Sequence, residues 1–138
     1  MKRKTIEFRS QCPISTALDI FGDKWSLLIL RDLIFKDKSS FGEFLGTDEK
    51  IATNILADRL ATLEASGIIT KHDHPENRAK VLYKLTEKGI DLIPVLVEII
   101  IWSENYYDVH PHAVQFVKMV KKDKEGLIKD LRDSLRRK

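Results

Sequence analysis

The sequence contains a single cysteine, and this scarcity narrows the classes of protein it can represent. One cysteine cannot form a disulfide within the chain, so a disulfide framework of the secreted type is excluded and one thiol stays free. Proline and glycine are also sparse, with 4 and 6 residues among 138, which excludes collagen-like and low-complexity chains. The sequence shows no internal repeat and no flexible linker.

Long hydrophobic runs are missing as well. The longest apolar stretch, residues 90–102, is shorter than the roughly 20 residues of a membrane-spanning helix, and Asp91 and Glu98 interrupt it. No apolar segment of the length that a secretory signal needs follows the basic N-terminus. The sequence therefore predicts a cytoplasmic protein that does not enter a membrane.

Neither sign of charge dominates, because 24 Lys and Arg residues against 21 Asp and Glu residues leave a net charge of +3. The hydrophobic content of 43% and the length of 138 residues predict a single globular domain. Basic residues nevertheless concentrate at the two ends, in residues 1–11 and in Arg136-Arg137-Lys138. Basic ends suit a polyanionic partner, and solvated termini that favour solubility are the alternative interpretation.

The central segment predicts two helices joined by a turn. A short helix is expected over residues 41–45, a turn over 46–50 and a second helix over 52–66. Apolar residues of the second helix recur at helical spacing and form one stripe: Ala52, Leu56, Leu60 and Leu63. The opposite face is small and polar at its N-terminal end, which suits a helix that enters a DNA groove.

A hairpin is expected to follow these helices. Gly67 tolerates positive φ and ends the second helix, and β-prone residues 68–72 and 81–85 predict two antiparallel strands. The loop between them, residues 73–80, carries Pro75 and Asn77 for turning and Arg78 and Lys80 for phosphate contacts. This order of elements is that of a winged helix-turn-helix.

Further helices are predicted on both sides of this segment. Pro13 begins a helix that Gly22 ends, and Asp23 caps the next helix, residues 24–35. After the wing, Thr86 caps a long helix that reaches residue 106 or 107, with a kink at Pro94. Two tail helices follow, the first over residues 113–122.

The long helix after the wing is apolar on all sides, so every side must be covered. We therefore expect a second subunit to cover it, the alternative being that this helix is the core of its own domain. The predicted dimer contacts are apolar residues of this helix and of the first one: Ile14, Leu18, Ile93, Leu96, Val97, Ile100 and Ile101.

Several motifs in a fixed order resemble the HxlR family of bacterial transcriptional regulators. They span about residues 12–102 and comprise Cys12-Pro13, DIFGDKW from Asp19, LILRDL from Leu28, FGEF from Phe41, LATLEASGII from Leu60, Pro75-Glu76 and YKLTEKG from Tyr83. The resemblance implies a mainly α fold with a small β-hairpin wing and flanking dimerisation helices. It also implies a dimer that binds double-stranded DNA and represses or activates nearby promoters.

The resemblance also suggests a subdivision of the single domain: a basic arm (1–11), a winged helix-turn-helix with its dimerisation helix (12–105) and a C-terminal helical extension (106–138). Two positions depart from the family pattern. Ala52-Thr53-Asn54 stand where many members have Ser-Pro-Arg, and Ser40 stands where Arg is common. Base preference therefore cannot be transferred from a relative.

The second helix supplies the candidates for base contacts, namely Thr53, Asn54, Asp58 and Arg59. Asn can pair with adenine and Arg with guanine through two hydrogen bonds each. Arg59 lies nearer the apolar stripe, so pairing with Asp58 or another acid is its alternative role. Candidate phosphate contacts, with ordinary surface charge as their alternative, are Lys36, Lys38, Ser39, Ser40, Lys50, Thr53, Arg78 and Lys80.

Cys12 is a candidate redox or electrophile sensor. It stands at a helix start, where the helix dipole and nearby Arg9 and Lys24 would favour the thiolate, and some members of the resembled family use a cysteine in this region for sensing. The alternative is a small buried hydrophobic residue.

Metal binding and catalysis are not predicted. The pairs His72/His74 and His110/His112 are far apart in sequence and have no second cysteine beside them, so they do not predict a zinc site. Neither a nucleophile elbow nor a phosphate-cradling loop is present, and we expect no enzyme and no cofactor.

The leading hypothesis is a homodimeric regulator that places two recognition helices in successive major grooves of a pseudo-palindromic operator, about 34–36 Å apart. A winged-helix module that binds protein instead of DNA is the main alternative. A small enzyme that depends on the Cys12 thiol is a third, without a partnered base in the sequence. The sequence predicts no particular small-molecule effector.

Overall fold

The computed structural model describes residues 4–138, so Lys2 and Arg3 of the predicted basic arm lie outside the described part. The described residues form eight helices and one two-stranded sheet: α1 Pro13–Phe21, α2 Ser26–Phe35, α3 Phe41–Leu45, α4 Thr53–Ala65, β1 Ile69–Asp73, β2 Val81–Leu85, α5 Glu87–Ile90, α6 Ile93–Tyr106, α7 Pro111–Lys122 and α8 Lys124–Arg136. This confirms the predicted mainly α fold with a hairpin wing. Two compact units are present, the first ending at Gly89 and the second spanning Ile90–Lys138.

The first helices begin where the sequence places helix-start residues. Pro13 occupies the first turn of α1, and Gly22 follows its last turn, donating its N–H to the Leu18 carbonyl at 2.8 Å. Asp23 supports the start of α2, because its carboxylate accepts the backbone N–H groups of Trp25 at 2.9 Å and Ser26 at 3.0 Å and the Ser26 hydroxyl at 2.6 Å. The predicted capping role of Asp23 is therefore present, with α2 beginning two residues later than expected.

The core of the first unit is built from α2, α3 and α4. Leu56, Leu60 and Leu63 of α4 are buried, as the predicted stripe requires, whereas Ala52 is exposed because it is the N-cap and lies outside the helix. The apolar residues of α2 and α3 that share this core are Ile29, Leu30, Leu33, Ile34 and Phe44. Packing of α4 against α2, α3 and β1 fixes the direction of its exposed face.

The wing is an antiparallel hairpin whose register runs from Ile69 opposite Leu85 to Asp73 opposite Val81. Its first strand begins and ends one residue later than predicted. Gly67 adopts φ +75°, a conformation that favours glycine, and this turns the chain from α4 into β1. The hairpin is tied to the start of α3, because the Tyr83 N–H donates to the Ser39 carbonyl at 2.7 Å.

The predicted long helix after the wing is wrong, because the chain forms two helices there. Helix α5 ends at Ile90, and α6 begins at Ile93 with Pro94 in its first turn. A proline in the first turn removes no intrahelical hydrogen bond, since the N–H groups there have no helical acceptor. Pro94 therefore starts a helix instead of kinking one.

Helix α6 is covered on one side and exposed on the other. Ile93, Leu96 and Val97 are at most 5% exposed within the single chain, and the tail helices α7 and α8 both pack on α6. These three residues were predicted dimer contacts, but the chain itself already covers them. The exposed apolar residues of α6 lie on a different stripe: Val95, Ile99, Trp102 and Tyr106. Among the described residues, no helix combines the length and hydropathy that crossing a bilayer would require.

Candidate nucleic-acid interface

The exposed face of α4 carries the residues predicted to read bases. Thr53 and Asn54 form its first turn, and both are exposed together with Ala57, Asp58 and Ala61. The N-cap residue Ala52 has no side-chain oxygen, so no side chain caps the first N–H groups of α4. The end of the helix is therefore slim and rich in hydrogen-bond donors.

The turn before α4 is held by an arginine from α2. Arg31 binds Glu49 through two hydrogen bonds of 2.7 and 3.0 Å and also donates to the Asp32 carboxylate at 3.0 Å. The bonds from Arg31 keep the pKa of Glu49 below its usual value. Lys50 follows with φ +57°, in the left-handed region, and is exposed. The start of α4 is thus attached to the core by a paired charge.

Asp58 and Arg59 belong to one ion-pair network, as the alternative interpretation of Arg59 anticipated. Arg59 contacts the Asp58 carboxylate and lies 3.6 Å from that of Asp23. Lys4 of the N-terminal arm donates to Asp58 Oδ1 at 2.5 Å. The bond from Lys4, followed by that from Arg59, lowers the pKa of Asp58, so this carboxylate is ionised at neutral pH. Arg59 is therefore engaged within the chain.

A cleft of about 600 Å³ lies between α4 and the wing. Two lysines of the wing and one acidic residue of α4, Glu64, belong to its lining. The full lining is Ser40, Phe41, Gly42, Ala57, Leu60, Ala61, Glu64, Lys71, Ala79, Lys80, Val81 and Tyr83. The structure brings the predicted Lys80 together with Lys71, which the sequence analysis missed. The signal for Lys71 was its place as a basic residue in the predicted strand beside the wing loop, and four of the five residues of β1, Lys71 among them, are exposed.

Ser40 does not offer its hydroxyl to a ligand, which corrects the predicted phosphate contact. The residue is 1% exposed, and its Oγ accepts the Glu43 N–H at 3.3 Å while donating to Glu43 Oε1 at 3.0 Å. This capping box uses the side chain to start α3. Burial alone would raise the pKa of Glu43, but hydrogen bonds from Ser39 and Ser40, with the charge of Lys80, lower it.

The remaining candidates lie at separate places on the first unit. Arg78 and Lys80 are exposed in the wing loop, which is ordered by a hydrogen bond of 3.1 Å from the Ala79 N–H to the Asn77 side chain. Lys36 is the exposed C-cap residue of α2, whereas Lys38 and Ser39 are half-buried in the segment that leads to α3.

Cys12 is exposed and is the N-cap residue of α1. Its backbone N–H donates to the Ser10 hydroxyl at 3.2 Å, and its side chain caps nothing. Arg9, which was expected near the thiol, pairs with Asp19 at 2.5 Å. Within residues 4–138, no group of three or more His, Cys, Asp or Glu residues is arranged to hold a metal ion.

Comparison with known proteins identifies the family. The model of the HxlR-like helix-turn-helix family matches residues 20–111. The chain belongs to this family. YdeP of Bacillus subtilis strain 168, an uncharacterised HTH-type transcriptional regulator, is 39% identical over 97 residues, which cover 70% of this chain and 75% of YdeP.

Two solved structures of regulators are similar to this HxlR-like chain. The oxidised form of the redox regulator HypR has a TM-score of 0.62 and 32% identity, covering 71% of this chain and 100% of that one. Quinone-bound YodB from B. subtilis has a TM-score of 0.57 and 32% identity, covering 70% of this chain and 100% of that one. The chain is a DNA-binding transcriptional regulator of the winged helix-turn-helix type.

Proposed function

We propose that this HxlR-like regulator reads its operator with the first turn of α4. The observation that carries this proposal is the exposed, uncapped start of that helix, where Thr53 and Asn54 stand next to small side chains. An asparagine amide can bond the N6 and N7 atoms of adenine in the major groove. Within residues 4–138 the Asn54 side chain makes no hydrogen bond to the chain, so it is available for such contacts.

Positive side chains beside α4 would hold the DNA backbone. Lys71 and Lys80 line the cleft between α4 and the wing, and Arg78 is exposed in the wing loop. Lys36 and Lys38 precede the helix-turn-helix, Lys50 lies in its turn, and all three supply further positive charge. Contacts of this kind orient the protein on the duplex without carrying sequence information.

The same proposal includes a homodimer on a pseudo-palindromic site. Two exposed apolar faces support it. On α1, Ile14 and Leu18 are 72% and 51% exposed, and on α6, Ile99 and Trp102 are 43% and 57% exposed. On each helix, neighbouring exposed apolar residues indicate a protein–protein contact. A two-fold dimer would present two α4 helices about 34–36 Å apart. Ile100 and Ile101 are half-buried and would lie beside this contact.

The test is binding to duplex DNA from the protein's own promoter region across a salt series. We expect affinity to fall by about 0.9 log units per phosphate contact for each log unit of salt. Asn54→Ala should reduce the preference for the operator over random duplex, whereas Arg78→Ala should weaken both alike. Failure of the wild-type protein to bind any of these duplexes in dilute buffer would refute DNA recognition by this surface.

We further propose that Cys12 makes the regulator responsive to oxidants or electrophiles. The thiol is exposed at the start of α1, and it is the single cysteine of the chain. The similar proteins HypR and YodB have been solved in oxidised and quinone-bound forms. A quinone can add to one thiolate by forming an S–C bond, so this chemistry needs no second cysteine in the same chain.

This second proposal is tested with the variant Cys12→Ser. Treatment with a quinone should change the operator affinity of the wild type and leave that of Cys12→Ser unchanged. Mass spectrometry of the treated wild type should show one adduct per chain, on Cys12. An equal response of both proteins would show that the thiol is not the sensor.

A further inference from the structure

The N-terminal arm contacts the exposed face of the recognition helix. Lys4 Nζ donates to Asp58 Oδ1 at 2.5 Å and to the Asp58 backbone carbonyl at 3.3 Å. These two residues are 54 positions apart in sequence. Asp58 lies one turn after Asn54, on the same exposed face of α4.

The position of Asp58 creates an electrostatic difficulty for DNA binding. Its side chain is 47% exposed and ionised, so it would face the phosphates of any duplex that approaches α4. Displacement of water from the groove lowers the local dielectric and strengthens this repulsion. A positive charge bound directly to the carboxylate would cancel it.

The charges around Asp58 balance only when Lys4 is included. Arg59 contacts Asp58, but it is shared with Asp23, which lies 3.6 Å away. Two carboxylates and one guanidinium give a net charge of −1, and the ammonium of Lys4 brings the group to neutrality. In the described part of the chain, both hydrogen bonds of Lys4 go to Asp58.

We propose that Lys4 is a positioning residue for DNA recognition: Lys4 contacts α4 at Asp58 and neutralises this carboxylate so that the recognition helix can enter the groove. This inference rests on the proposed function, in which α4 reads DNA. It adds Lys4 of the N-terminal arm to that DNA-binding surface. Lys4 acts here through Asp58 and not by binding a phosphate itself.

The experiment is a double-mutant cycle on the full chain, with wild type, Lys4→Met, Asp58→Asn and the double variant. Affinity for the promoter duplex is measured by fluorescence anisotropy across a salt series. We expect Lys4→Met to weaken binding by about tenfold in the wild-type background, within the coupling range of charges in one network. In the Asp58→Asn background the same change should alter affinity less than about twofold.

Lys129→Met is the matched control, because Lys129 forms a comparable ion pair with Asp133 at 2.9 Å on α8. It should leave DNA affinity unchanged. Unfolding curves of all variants should coincide with that of the wild type, since Lys4 and Asp58 are exposed.

Three results would overturn the inference. An equal loss in both backgrounds, with the salt slope reduced by about 0.9, would mean that Lys4 binds a phosphate directly. No effect of Lys4→Met on a protein that binds DNA would mean that the arm contact is not used in recognition. If the wild type itself binds no promoter duplex, the proposed function fails together with this inference. The measurement on the wild type distinguishes that case from the other two.

Discussion

Single polar residues in this protein act at helix ends, and Asp23 is the clearest case. Burial by itself would raise the pKa of Asp23, but the hydrogen bonds from the Ser26 hydroxyl and from the backbone N–H groups of Trp25 and Ser26 lower it. A carboxyl whose pKa is lower in the folded state stabilises that state while it is ionised. Asp23 therefore couples the stability of α2 to pH.

Asp23→Ala should lower the free energy of unfolding by about 1 kcal/mol at pH 7, as the loss of a helix cap does. The difference in unfolding free energy between wild type and variant should be complete above the pKa of the carboxyl in the unfolded chain, about 3.9. It should vanish as the pH falls through the lower pKa that Asp23 has in the folded state. Urea denaturation at several pH values measures it. Asp48→Ala, at an exposed position in the turn before α4, is the control. If the destabilisation by Asp23→Ala persisted in acid, the capping role of the ionised Asp23 carboxylate would be contradicted.

Replacing glycine by alanine should have opposite effects on stability at two exposed positions. At Gly67, φ is +75° and an added Cβ would meet only Lys88 Cδ at 3.9 Å, so Gly67→Ala should destabilise by about 1–2 kcal/mol through backbone conformation alone. At Gly42, inside α3, nothing lies within 4 Å, and Gly42→Ala should stabilise by up to about 1 kcal/mol. Thermal unfolding of both variants tests the pair, and equal signs would contradict this account.

The orientation of the recognition helix α4 depends on contacts on its buried side. The bidentate pair between Arg31 and Glu49 attaches the turn before α4 to α2, and the buried leucines attach its inner face to the core. Neither contact would touch DNA. They set the angle at which Asn54 is presented, so their loss should affect recognition indirectly.

Arg31→Met should therefore weaken operator binding several-fold while leaving its salt slope unchanged, since no phosphate contact is lost. Lys80→Met is the comparison, because a lost phosphate contact should reduce the slope by about 0.9. Both are measured by anisotropy titrations from low to moderate salt. A reduced slope for Arg31→Met would mean that this residue touches the duplex.

The exposed apolar stripe of α6 is the feature of this protein that indicates a partner chain. Trp102 is 57% exposed and contacts the rings of Tyr106 and Tyr107, with centroids 5.7 Å away in each case. Burying a large apolar side chain is worth about 1.5–3 kcal/mol, so two symmetric copies of such a stripe would stabilise a dimer.

Trp102→Glu should convert the proposed dimer into monomers, because it would place charge in a desolvated contact. Light scattering coupled to size exclusion measures the mass. Met119→Glu changes an equally exposed apolar residue of α7 and should leave the dimer intact. A wild type that stays monomeric at micromolar concentration would remove the basis for this prediction.

Elements whose signals are local could be predicted from the amino-acid sequence. The apolar stripe of α4, the glycine at position 67 and the two β-prone segments around a polar loop specify backbone conformation through neighbours a few residues away. For that reason the order of the winged helix-turn-helix was predictable, with the bounds of β1 shifted by one residue and those of β2 as predicted.

Contacts between distant segments set the partners and the burial of several side chains, and local sequence patterns do not predict these contacts. The tertiary structure buried Ile93, Leu96 and Val97 within one chain and used the Ser40 hydroxyl to start α3. It also joined Lys4 to Asp58. Helical periodicity indicates that a face is apolar or polar, but which neighbour covers that face depends on contacts between segments far apart in sequence.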